Sequence, residues 1–111
     1  MEIKDKKVNG VTVVSFDGSI DALTAPNITE YFNELISGGN VMLVADFRGV
    51  DYTSSAGLRV LLAAVKETRS KGGDLFLAGI QPNVQKVLVL TGFTSIIKIF
   101  PGVDEAVQEF T

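Results

Sequence analysis

Residues 41–65, Val-Met-Leu-Val-Ala-Asp-Phe-Arg-Gly-Val-Asp-Tyr-Thr-Ser-Ser-Ala-Gly-Leu-Arg-Val-Leu-Leu-Ala-Ala-Val, contain the change of pattern that decides the fold. Val41-Met42-Leu43-Val44-Ala45 is a continuous apolar run of strand length, as expected for a central strand covered on both faces. Beyond it Leu58, Leu61, Leu62 and Val65 return at helical spacing. Between the two lies Tyr52-Thr53-Ser54-Ser55-Ala56-Gly57-Leu58, so Ser54 and Ser55 stand where the helix begins. The first N–H groups of a helix have no intrahelical partner, and the macrodipole adds partial positive charge there. A serine at that point suits a cap, and a phosphate on it would be well tolerated.

The same strand-then-helix pattern extends in both directions. Upstream, residues 1–8 and 11–16 flank Asn9-Gly10, which supplies the positive φ angles of a type I′ turn, so the chain opens with a β-hairpin. After Asp17-Gly18, Thr24-Ala25-Pro26 starts a helix in which Ile28, Tyr31, Phe32, Leu35 and Ile36 recur until Gly38-Gly39. Downstream, helix two ends near residues 70–73, with Arg59, Lys66, Glu67 and Arg69 on its polar face. Leu75-Phe76-Leu77-Ala78 is a further strand. Pro82 opens a third helix carrying Val84, Val87 and Leu88 up to Thr91-Gly92. Residues 96–100 read as an edge strand, and a terminal helix turns Val103, Ala106, Val107 and Phe110 inward. Alternation of this kind predicts one α/β domain over residues 1–111, with about four helices on a mixed, mostly parallel sheet and an antiparallel N-terminal hairpin. Loops are expected at 17–24, 47–54 and 79–82, the carboxyl ends of the strands, where open α/β sheets place function.

Composition narrows the chemistry. At 111 residues, 46% hydrophobic and 21% charged, the chain has the balance of one folded domain. A net charge of −3 supplies no broad positive field, so neither direct nucleic-acid binding nor attachment to anionic membranes is expected. Cysteine and histidine are both absent, which removes disulfides, thiolate chemistry, imidazole bases and the usual zinc ligands. No glycine pair leads into the Gly-Lys-Ser/Thr ending of a phosphate loop, and the serines are not in Gly-x-Ser-x-Gly. Asp46 and Asp51 resemble a carboxylate pair, but magnesium usually recruits such groups beside a substrate phosphate. A non-enzymatic protein without metal or cofactor is therefore expected. The charged start, Met1-Glu2-Ile3-Lys4-Asp5-Lys6-Lys7, never reaches an apolar signal core, and no later run approaches the ~20 residues of a membrane span, so the expected location is cytoplasmic without membrane insertion. Asn27-Ile28-Thr29 fits a glycosylation sequon but reads as helix.

Taken together, the order of elements and three short motifs resemble the STAS domains, and most closely the bacterial anti-anti-sigma factors, also called anti-sigma factor antagonists. The motifs are Phe16-Asp17-Gly18-Ser19-Ile20-Asp21, similar to the family's Gly-x-Ile-Asp segment; Tyr52 through Leu58, similar to its Asp-Ser-Ser/Thr-Gly-Leu segment; and Leu90-Thr91-Gly92-Phe93. The resemblance implies a protein that binds an anti-sigma factor with serine-kinase activity and releases it once a serine is phosphorylated, a cognate phosphatase reversing the step. The matching acceptor is Ser55. Ser54 occupies the family's usual aspartate position, which removes one negative charge and makes Ser54 a rival acceptor. Asp21, Thr24, Ser54, Ser55 and Arg59 form the implied partner-binding set.

Each of these residues also has a plainer reading. Both serines suit a helix cap, and Asp21 suits a turn or cap. Arg59 lies one helical turn after Ser55, where a cation is mildly unfavourable; it points either to a phosphate, Asp21 or an acidic partner, or simply to a solvated arginine. A STAS module binding a small ligand or nucleotide, and a scaffold domain of a sensory or transport-associated complex, are the alternative functions.

Overall fold

Leu43, Val44 and Ala45 are wholly shielded from solvent in the computed structural model, which describes residues 1–111. They lie in the third of five strands: β1 (Glu2–Val8), β2 (Val11–Ile20), β3 (Met42–Thr53), β4 (Asp74–Ala78) and β5 (Ile99–Phe100). The strands stand in that order across one sheet, β1 antiparallel to β2 and the rest parallel. Asn9 at φ 51° and Gly10 at φ 81° form the expected hairpin turn.

The helices are α1 (Ala25–Ser37), α2 (Ser55–Ser70), α3 (Pro82–Leu90) and α4 (Val103–Glu109). Alternate residues of each strand point to opposite faces, and the apolar clusters divide accordingly. Leu43, Ala45 and Phe47 join Ile28 and Phe32 of α1, Leu61 and Val65 of α2, and Val84 and Leu88 of α3 in the larger core. Phe16 is set edge-on to both Phe32 and Phe47, at 5.8 Å between ring centres. Val44 and Phe76 face the other way, onto Ala106 and Val107 of α4, where Phe110 stacks on Phe76 at 4.2 Å. Three helices thus cover one face of the sheet and one short helix the other.

Two expectations are corrected. Residues 17–24 and 47–54 are not simply loops, because β2 continues to Ile20 and β3 to Thr53. Past Ser15 the two strands stay paired through irregular steps, Asp17 opposite Gly49 and Ile20 opposite Thr53. Gly49 makes this possible: a Cβ there would lie 2.6 Å from the Phe16 carbonyl oxygen. The strand expected at 96–100 shrinks to Ile99–Phe100, since Phe93–Ser95 coil into a 3₁₀ turn that tucks Phe93 and Ile97 into the larger core.

An ion pair with a buried carboxylate and a largely exposed guanidinium sits where β3 leaves the regular part of the sheet. Asp46, 5% exposed, accepts Arg48 Nε at 2.9 Å and Nη2 at 2.7 Å, the Arg48 N–H at 3.1 Å and Ser15 Oγ at 3.3 Å. Burial alone would push this carboxyl up, but the Arg48 and Ser15 hydrogen bonds and the arginine charge together hold it below its ordinary value. A depressed folded pKa means that its stabilisation is present above the unfolded value, near 3.8, and is lost as pH falls through the lower folded value. In acid titrations followed by circular dichroism, Asp46→Asn should lose stability less steeply below about pH 4 than the parent. At neutral pH it should be weaker by roughly 1–2 kcal/mol, a modest figure because the guanidinium is largely solvated. Identical acid slopes would contradict this.

Candidate functional site

The joined ends of β2 and β3 set the site. After the last paired residues, Ile20 and Thr53, the Ser54 N–H donates to the Ile20 carbonyl at 2.8 Å, so the two chain exits are locked side by side. Asp21 therefore follows directly on the residue that holds Ser54. The first turn of α2 presses on this junction through Gly57: a Cβ there would run into Thr53 Oγ1 and lie 2.5 Å from Ile20 Cγ2.

Ser54 is the residue before α2, with extended backbone (φ −96°, ψ 177°), and Ser55 is the first helical residue. Neither side chain caps the helix, which corrects the capping expectation. Ser54 Oγ is buried and has no hydrogen-bond partner, the one side-chain oxygen or nitrogen in the chain in that condition. Ser55, by contrast, is exposed. The amide groups opening α2 are left for solvent or for an anion to satisfy.

Asp21 closes the turn ahead of α1. Its Oδ1 accepts the N–H groups of Leu23 at 2.9 Å and Thr24 at 3.1 Å, while Thr24 Oγ1 accepts the Asp21 N–H at 3.0 Å. The Ala25 N–H adds a bond to the Asp21 carbonyl at 2.8 Å. These reciprocal bonds have the pattern of a capping box and close the turn that leads into α1, which begins after Thr24 (φ −92°, ψ −23°) where the sequence places its start. Thr24 Oγ1 also donates to the Ser19 carbonyl at 3.0 Å, which ties the turn to the end of β2.

Arg59 is exposed and makes no ion pair with any acid of the chain, Asp21 included. It lies on a shallow groove of about 430 Å³ between the first turns of α1 and α2, lined also by Ala22, Ala25, Pro26, Ala56 and Val60. The structure thus brings Asp21, Thr24, Ser54, Ser55 and Arg59 to one edge. Asp46 and Asp51 do not form a pair: Asp46 is taken by Arg48 and Ser15, Asp51 accepts Ser19 Oγ at 2.9 Å, and no cluster of acids is placed to hold a metal ion. A wider concavity, about 720 Å³, lies beside β5, where Arg69 is bound to Asp74 and Lys98 to Glu109. No helix is long and apolar enough to cross a membrane.

Sequence reasoning missed Leu23 and Tyr52 as surface features. Leu23 is 88% exposed and Tyr52 51% exposed, both on the rim of the site. The Asp21-x-x-Thr24 spacing is the signal that could have located the first, since a capping box fixes which residue of the turn faces out.

An α/β domain with a five-stranded mixed sheet, three helices on one face and a serine-led helix at its carboxyl edge is the STAS architecture, and residues 2–106 match the STAS domain family. The chain belongs to that family. It is 29% identical to BtrV of Bordetella bronchiseptica over 110 residues, 99% of this chain and 95% of that one. The anti-sigma-B factor antagonist of Listeria monocytogenes is 30% identical over 99 residues, 89% of this chain and 86% of its own. Among solved structures, an anti-sigma factor antagonist from Mycobacterium paratuberculosis superposes with a TM-score of 0.85 at 26% identity, covering 97% of this chain and 92% of that one.

Proposed function

We propose that this chain is an anti-sigma factor antagonist working by partner switching. Unphosphorylated, it binds an anti-sigma factor with serine-kinase activity through the edge formed by Asp21, Thr24, Ser54, Ser55 and Arg59, and so displaces that protein's other client. Phosphorylation of Ser55 ends the binding, and a phosphatase restores it in the cytoplasm. The observation that carries this reading is the unequal burial of two adjacent serines, Ser55 exposed and Ser54 Oγ enclosed. A kinase must reach the hydroxyl oxygen, so the rival acceptor is disfavoured without local unfolding. A phosphate adds about −1.5 to −2 charges to the contact surface itself, so no refolding is required for release.

The assignment is tested by incubating the chain with the cognate anti-sigma kinase, ATP and magnesium, then mapping the product by peptide mass spectrometry. One phosphate is expected, on Ser55, with Ser55→Ala unlabelled and Ser54→Ala labelled to full stoichiometry. Label on Ser54 in the parent chain would overturn the assignment.

A further inference from the structure

A buried hydroxyl without a partner destabilises a fold, and native chains contain few of them. Ser54 Oγ is the one side-chain group of this kind in the chain. It belongs to the residue that precedes α2, yet it bonds none of the free amides there, and the first turn of that helix carries no acidic side chain. Ser55 follows directly, exposed and with no hydrogen bond from its side chain. One turn later Arg59 has no acid to pair with in the chain. The start of α2 thus offers donors of three kinds around Ser55: backbone amides, a hydroxyl and a guanidinium.

We infer that Ser54 is the internal donor for a phosphate on Ser55: its hydroxyl, idle in the unmodified chain, turns to a phosphate oxygen beside the amides that open α2. The inference rests on the partner-switching reading above and concerns how the modified state is held. The two serines are adjacent, so rotation about the Cα–Cβ bond of Ser54 carries its hydroxyl between staggered positions and leaves the Ser54 N–H bond to the Ile20 carbonyl in place. A charged phosphate oxygen is a stronger acceptor than any neutral group the hydroxyl could find within the chain. The phosphate is then fixed on the contact face instead of swinging in solvent. A carboxylate at position 54 would act the other way, repelling the phosphate.

The test uses the full chain with phosphoserine installed at position 55 during synthesis, beside the same protein carrying Ser54→Ala, Ser54→Thr or Ser54→Asp, each with and without the phosphate. Phosphorus NMR follows the second ionisation of the phosphate, ordinarily at about pH 6. A donor to the dianion lowers that value, so Ser54→Ala should raise it by about half a pH unit, Ser54→Thr should return it towards the parent, and Ser54→Asp should raise it furthest. The charged neighbours at this edge, Asp21 and Arg59, are the same in every variant, so the differences report on residue 54. In thermal melting, Ser54→Ala should match or exceed the parent without phosphate, where it removes an unpaired hydroxyl, and fall below the parent with phosphate. Equal titrations of parent and Ser54→Ala, or an equal loss of melting midpoint in both states, mark an ordinary helix-end serine and overturn the inference. If the cognate kinase still labels Ser55 and the labelled chain releases the anti-sigma factor in that case, the switch reading stands alone. If the kinase labels Ser54 instead, both fall.

Discussion

Ser55→Asp is expected to weaken binding to the anti-sigma factor by a factor of ten or more, whereas Ser55→Ala retains affinity within about twofold. Ser55 is exposed and its side chain has no hydrogen bond within the chain, so removing its hydroxyl costs little. An aspartate puts a full charge at the centre of the proposed contact, where a like charge or an unpaired desolvated one costs several kcal/mol. Because aspartate carries less charge than phosphoserine, the modified protein should release its partner more completely than the variant. The fold should tolerate the change: an acid in the first turn of α2 suits the helix dipole, worth about 0.3–1 kcal/mol, so the melting midpoint stays or rises slightly. Calorimetric affinities that are equal for the two variants would rule out an electrostatic switch. Arg59 refines the result, since it has no acidic partner within the chain. If it partly neutralises the Ser55 phosphate, Arg59→Ala makes phosphorylation more disruptive; a merely solvated arginine changes neither state.

Gly57→Ala should destabilise the protein although it replaces a poor helix former by the best one. Helix propensity alone favours alanine by about 1 kcal/mol. Against that stands the contact of the new methyl with Thr53 Oγ1 and with Ile20 Cγ2 at 2.5 Å, an overpacking whose cost is typically 1–3 kcal/mol and here falls at the top of that range. The obstructing Ile20 is itself 2% exposed and belongs to the larger core, so it has little room to move. Steric cost wins, and thermal melting should fall by several degrees. To admit the methyl, the start of α2 must lift from the β2–β3 junction, which weakens the Ser54 N–H bond to Ile20. Enhanced hydrogen exchange of the Ser54 amide in the variant checks that displacement. A melting midpoint equal to or above the parent's would show that propensity outweighs the clash.

How far the site was legible depends on the kind of interaction that builds it. Ser54 and Ser55 could be placed at a helix start because Leu58, Leu61 and Val65 announce the helix and the Val41–Ala45 run announces the strand before it. Their opposite exposures could not be read, since both are small polar residues in adjacent positions, and it is the docking of Ser54 on Ile20 across the β2–α2 junction that accompanies the enclosure of its hydroxyl. Asp21 was legible as either a cap or a contact residue. The Leu23 and Thr24 amides that reach its Oδ1 show that it closes the turn before α1, a bond pattern that residue type alone does not give.

By itself, the sequence determined the order of strands and helices, the hairpin turn at Asn9-Gly10 and the burial of β3 on both faces. These depend on side-chain periodicity and local backbone preference, which are properties of neighbouring residues. Only the tertiary structure decided that β2 and β3 run on past Asp17-Gly18 and Arg48-Gly49, that 96–100 is mostly not strand, and that the turn of Asp21 lies against the start of α2. Those outcomes rest on backbone hydrogen bonds and close approaches between residues some thirty positions apart, such as Ser54 N–H to Ile20 and Gly49 against the Phe16 carbonyl. Backbone groups are the same in every residue, so pairings of this kind leave no hydrophobic period in the chain from which they could be read.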